Sequence, residues 1–160
     1  MKTHTLSTLI VIGLIMFDQW TKWLAQVTLQ GQAAIELIPS FLYLRYHINP
    51  GAAWGLLEGQ FVFFVLITLV ALAVFIYWAK DNAFKTKPFY SIALVLLIAG
   101  TIGNFIDRVR FRYVIDFIDV YIFTYDFPIF NVADMALTIG VALFAIDLVF
   151  FDKRRNSHGA

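Results

Sequence analysis

The chain is 160 residues long, 61% hydrophobic and only 14% charged, with a formal net charge of +1. An apolar share well above the roughly 45–50% of ordinary soluble domains, with the charges gathered between long apolar runs, excludes a soluble globule and indicates a polytopic membrane protein. No basic stripe with interleaved aromatics lies outside the span ends, which sets nucleic-acid binding aside, and the absence of cysteine removes disulfides, thiolate nucleophiles and cysteine-ligated metals.

The first apolar stretch, about 6–29, is long enough to cross a bilayer core of roughly 30 Å. It outruns a secretory signal, contains Asp18 and Lys22 and shows no small-residue cleavage site, so a retained span is expected. Asp18 and Lys22 stand four apart and share a helix face, where they can form an ion pair with Lys22 snorkelling outward, or bind a polar substrate group. A polar segment from about residue 30 to 60 follows. Within it Phe41 to His47 reads as a strand, Asn49-Pro50-Gly51 as a turn, and Ala52 to Leu57 as a short interfacial helix anchored by Trp54. That helix is either an amphipathic surface loop or a gate.

The second span, about 61–78, has no ionisable residue and is expected only to pack. Pro88 can open the third span, about 89–108, at its first turn. Gly100, Gly103, Asn104, Asp107 and Arg108 fall on one helical stripe, where the glycines admit a neighbouring backbone and the polar groups point into the bundle. Arg112 to Tyr125 alternates as a strand, with Asp116 on one face and Asp119 on the other, and pairing with Phe41–His47 is expected. The fourth span, about 131–151, starts at Asn131, a natural N-cap. Asp134 then sits at the third helical position, where the helix dipole alone would explain a carboxylate. Asp147 is expected to be structural.

Four spans put both termini on one side. Lys2, Lys80, Lys85, Lys87, Lys153, Arg154 and Arg155 fall there, against Lys22, Arg45, Arg108, Arg110 and Arg112 on the other, so the first side is expected to be cytoplasmic. The expected fold is an all-α integral membrane protein: one domain over 1–160, four transmembrane helices, a small extracytoplasmic β-sheet and a short interfacial helix.

Elimination narrows the chemistry. The histidines are His4, His47 and His158, in tails and a loop, which disfavours a Ser-His device. No His cluster, HExxH helix or glycine-rich phosphate loop appears, and no metal or cofactor is expected. Aspartates remain. Asp116 and Asp134 lie at the same end of consecutive elements, and two carboxyls brought together would share one proton and activate a water. Rival readings are a proton-coupled transporter, a magnesium-dependent lipid phosphotransferase and a purely structural subunit.

Five blocks, Asp18-Gln19-Trp20-Thr21-Lys22, Asn49-Pro50-Gly51-Ala52-Ala53-Trp54-Gly55, Gly100 to Arg108, Val114-Ile115-Asp116-Phe117 and Phe130-Asn131-Val132-Ala133-Asp134, resemble in order and spacing the motifs of the lipoprotein signal peptidases, the bacterial signal peptidase II family. The resemblance implies an aspartic endopeptidase of the bacterial inner membrane, and a monomer is expected. Such an enzyme removes the signal peptide of a prolipoprotein before a diacylglyceryl-modified cysteine, and is inhibited by the cyclic peptide globomycin. It implies Asp116 and Asp134 as the catalytic pair, Asn49, Gly51, Trp54, Asn104, Arg108 and Asn131 around the substrate, and Asp18 and Lys22 in support. Trp54, Ala99, Arg112 and Met135 depart from the usual family pattern.

Overall fold

The computed structural model describes residues 2–51, 59–123 and 125–152. Helix α1 (Lys2–Leu29) is followed by strands β1 (Ile35–Ile38) and β2 (Leu42–Asn49), then helices α2 (Phe61–Trp78) and α3 (Pro88–Phe111). Strands β3 (Val114–Ile122) and β4 (Tyr125–Asp126) come next, and helix α4 (Val132–Ile146) runs into a π-helical turn, Asp147–Asp152. By length and composition three helical stretches can cross a membrane, Phe61–Asp81, Pro88–Phe111 and Val132–Phe151. They coincide with the second, third and fourth expected spans. The first expected span is one unbroken helix of 28 residues, about 42 Å long at 1.5 Å per residue.

Helix α3 is the centre of the bundle and packs against α1, α2 and α4. Its buried positions include Ser91, Ala93, Leu94, Leu97, Gly100, Gly103 and Asn104, a face built from small residues. A Cβ at Gly100 would lie 2.5 Å from the Ala133 carbonyl oxygen, and one at Gly103 would lie 2.7 Å from Asp18 Oδ2. Only glycine lets α3 approach the start of α4 and the middle of α1 this closely. Helix α2 is apolar on every face and buries only Phe64, as expected of a helix surrounded by hydrocarbon.

The antiparallel sheet has the order β1-β2-β3-β4. The expected pairing of the two strand segments holds: Leu42 faces Val120, His47 faces Asp116 and Asn49 faces Val114, with an irregularity between Leu44 and His47. Three details differ from expectation. Strand β1, inside the polar 30–60 segment, went unseen because all four of its residues are exposed and no burial periodicity marks it. The strand expected from Arg112 begins at Val114, because Arg112 terminates α3 with φ +71. That left-handed conformation costs about 1–2 kcal/mol for a side-chain-bearing residue; it places the guanidinium 3.8 Å from the centre of the Phe61 ring, a favourable cation–π contact. Finally, β3 is not a strand with one wet face, since Val114, Ile115, Asp116, Phe117 and Asp119 are all buried. The expected interfacial helix at 52–57, with Trp54, lies outside the described residues.

Candidate active site

Two local devices bring Asp116 and Asp134 to one place. The first is a backbone hook: Ile118 N–H donates to the Phe130 carbonyl (2.8 Å) and Phe130 N–H returns a bond to Ile118 (3.0 Å), tying β3 to the residue that precedes α4. The second is the N-cap of α4. The Asn131 side-chain oxygen accepts the Asp134 N–H at 2.9 Å, and Asp134 Oδ2 accepts the Asn131 N–H at 3.1 Å, a reciprocal capping box. Asp134 therefore does serve as a helix-capping carboxylate, as its position suggested. Its second oxygen points elsewhere and accepts Asn104 Nδ2 at 2.7 Å.

Asparagines connect the two carboxylates. Asn131 Nδ2 donates to Asp116 Oδ1 at 2.6 Å while its main-chain N–H binds Asp134, so one residue touches both acids. The same amide reaches Asn104 Oδ1 at 3.1 Å. On the other side of Asp116, Asn49 Nδ2 donates to Oδ2 at 2.9 Å. Asn49 Oδ1 accepts the Gly51 N–H at 3.1 Å, so the turn read from Asn49-Pro50-Gly51 aims an amide at the carboxylate. Arg108 donates to the Gly51 carbonyl at 3.2 Å and lies 4.7 Å from the Phe64 ring centre.

Asp116 is 1% exposed, so an ordinary surface-strand aspartate is ruled out. Burial pushes its pKa up to about 7, and the Asp134 charge pushes the same way; the amides of Asn49 and Asn131 and the Lys22 ammonium oppose the rise. Beside the pair opens a cavity of about 690 Å³. Asn49, Gly51, Asn104, Arg108 and Asp134 form its polar end, Met135, Leu137 and Ile139 of α4 give it an apolar wall, and Thr68 of α2 borders it.

Asp18 and Lys22 do pair, at 3.0 Å, but the outward path expected for Lys22 is wrong. The side chain is 1% exposed and turned inward, because Asp107 (3.0 Å) and Asn104 Oδ1 (2.9 Å) supply two further partners. With its donors occupied, Lys22 is closed to substrate. Sequence reasoning missed Gln19, whose amide reaches Asp107 Oδ1 at 2.9 Å and the Gly103 carbonyl at 3.1 Å. It also left Asp107 out of the site, although Asp107 sits on the Asn104 stripe, which was the available signal. Of the expected site residues, Asp116, Asp134, Asn49, Gly51, Asn104, Arg108, Asn131, Asp18 and Lys22 converge, and Trp54 is outside the described residues.

Residues 10–150 match the family model described as Signal peptidase (SPase) II. A lipoprotein signal peptidase of Staphylococcus aureus (strain bovine RF122 / ET3-1) is 47% identical over 143 residues, which cover 89% of this chain and 87% of that protein. The one of strain MRSA252 matches to the same extent. Two solved bacterial membrane enzymes, determined by the in meso method, share the fold. The one at 2.3 Å resolution gives a TM-score of 0.80 at 46% identity, covering 91% of this chain and 88% of that one. The one at 1.9 Å gives 0.81 at 46% identity, covering 92% and 94%. With likeness running through nearly the whole chain in both sequence and fold, the chain belongs to the signal peptidase II family, the lipoprotein signal peptidases.

Proposed function

We propose that the protein is an aspartic endopeptidase that removes signal peptides from diacylglyceryl-modified prolipoproteins, cleaving before the lipidated cysteine, with Asp116 and Asp134 as its catalytic pair. The supporting observation is Asn131, which donates to both carboxylates from one residue, tying the buried Asp116 to Asp134 at the polar end of the cavity. A buried carboxyl with a pKa near 7 beside a second acid suits a pair that carries a single proton at neutral pH. The ionised member takes a proton from water as the hydroxyl oxygen attacks the scissile carbonyl. The neutral member gives its proton to the carbonyl oxygen, forming a gem-diol; as the C–N bond breaks, the carboxyl that took water's proton passes it to the departing amine while the other carboxylate takes a proton back from a diol hydroxyl. The pair then again holds one proton.

In this reading Asn49, Asn104 and Arg108 bind the substrate main chain, and the apolar wall from α4 receives the acyl chains. A globomycin-type cyclic peptide would occupy the same cavity. Helix α1 is the first of four spans, the termini are cytoplasmic, and the sheet with the acid pair lies at the extracytoplasmic face of the bacterial inner membrane. One chain carries every proposed site residue, so a monomer suffices. The test is incubation of purified enzyme with a lipid-modified precursor peptide and its unlipidated twin, each with and without chelator. Cleavage of the lipidated peptide alone, indifferent to chelator, is expected. Cleavage abolished by chelator would replace the dyad with a metal-dependent reaction.

A further inference from the structure

The buried ammonium of Lys22 has three partners and each leads to a different part of the proposed dyad. Nζ lies 3.0 Å from Asp18 Oδ2, 3.0 Å from Asp107 Oδ2 and 2.9 Å from Asn104 Oδ1, matching its three donors. Asp18 Oδ1 accepts the main-chain N–H of Ala133 at 2.8 Å, the residue immediately before Asp134. Asp107 Oδ2 accepts the main-chain N–H of Ile115 at 3.1 Å, the residue immediately before Asp116. Asn104, held by its oxygen, must turn its amide nitrogen outward, where it donates to Asp134 Oδ1. An ammonium cannot accept a hydrogen bond, so together with the Asn131 amide, which also donates to Asn104 Oδ1 at 3.1 Å, it determines which end of Asn104 meets the carboxylate.

We infer that Lys22 is a positioning residue for the reaction: its ammonium ties together the three groups on α1 and α3 that set the backbone of β3 and the start of α4, and thereby fix the two aspartates against one water. This rests on the dyad reading above. Asp18 and Asp107 are 2% and 1% exposed. Without a cation between them, two such buried carboxylates repel and draw apart. Their hold on the peptide N–H groups of Ala133 and Ile115 then slackens, and Asn104 keeps only the Asn131 amide to anchor its oxygen. The carboxylate pair would then sit loosely, and a misplacement on the order of 1 Å costs about 100-fold in rate.

The test compares full-length wild type, Lys22→Met, and a charge-balanced triple variant, Asp18→Asn with Lys22→Met and Asp107→Asn. The triple variant keeps an acceptor oxygen for each peptide N–H and leaves no buried charge to neutralise, so it guards against simple misfolding. Each is assayed on the lipid-modified precursor, with rates normalised to protein that is monodisperse and melts cooperatively. The expected result is a fall in kcat of about 100-fold in the folded variants with KM close to wild type, since Lys22 is closed to substrate. A folded variant with wild-type kcat, or one in which only KM changes, would overturn the inference. So would failure of both variants to fold, which would assign Lys22 to stability alone. Asp116→Asn assayed in parallel separates the two levels: if it cleaves at the wild-type rate the dyad itself is wrong, whereas if it is inactive and the Lys22 variants are fast, only the positioning role falls.

Discussion

Asp116 is an acid held where water can scarcely reach it, and its behaviour with pH follows from that. Its carboxyl has an ordinary value of 3.8 in the unfolded chain and about 7 in the folded one. Between these values Asp116 holds its proton in the folded state but not in the unfolded one, so its contribution to stability is greatest below pH 4 and is lost as pH rises to about 7. Asp116→Asn removes that decline. Thermal or denaturant unfolding should find the variant more stable than wild type at pH 8, by on the order of a few kcal/mol, with the advantage shrinking toward pH 4. A constant difference across that range would mean that Asp116 ionises normally. In the proposed mechanism the same titration governs turnover, because above pH 7 the pair would lose its remaining proton and with it the acid. The pH–rate profile is expected to fall on its alkaline side with an apparent pKa near 7, and this limb should be read from kcat rather than from stability.

At the scale of elements, the site is an intersection between α3, the start of α4 and β3, and glycine makes the intersection possible. A methyl group at Gly100 would meet the Ala133 carbonyl oxygen at 2.5 Å and Leu137 Cγ at 2.8 Å. Backbone cannot yield as a side-chain tip can, so Gly100→Ala must push α4 away. It is expected to destabilise by about 1–3 kcal/mol and to lower the cleavage rate far more than a methyl on the exposed side of α3 would. Melting and initial rates check this, and unchanged values for both would mean that the two helices do not touch there. Much of this intersection was legible. The 0, 3, 4, 7, 8 spacing from Gly100 to Arg108 announced a close-packed polar stripe, and Asn131 announced a helix start with Asp134 in its first turn. What could not be read was the hook between Ile118 and Phe130, since main-chain hydrogen bonds carry no side-chain signature. The inward path of Lys22 was hidden for a related reason: its two extra partners, Asp107 and Asn104, lie 82 or more residues away in sequence and become neighbours only on folding.

For the whole molecule, apolar runs and their lengths gave the helical architecture, because span length answers to bilayer thickness rather than to tertiary detail. Strand β1 escaped because an exposed edge has no buried face to impose a period of two. The proposed orientation rests on the seven-to-five division of basic residues, a modest bias. The chain contains no cysteine, so a single introduced thiol reports its own location. Gln32→Cys, in the exposed segment before β1, should react with a membrane-impermeant reagent on intact cells. Lys85→Cys, between α2 and α3, should react only after permeabilisation; the reverse pattern would invert the topology and put the acid pair in the cytoplasm. The pair itself is tested most directly by single-turnover cleavage of lipid-modified precursor with excess folded Asp116→Asn and Asp134→Asn proteins. An amide in either position cannot pass a proton, so each variant is expected to bind the precursor and leave it uncut over times in which wild type finishes. Cleavage by either variant at a rate near that of wild type would contradict the two-aspartate mechanism.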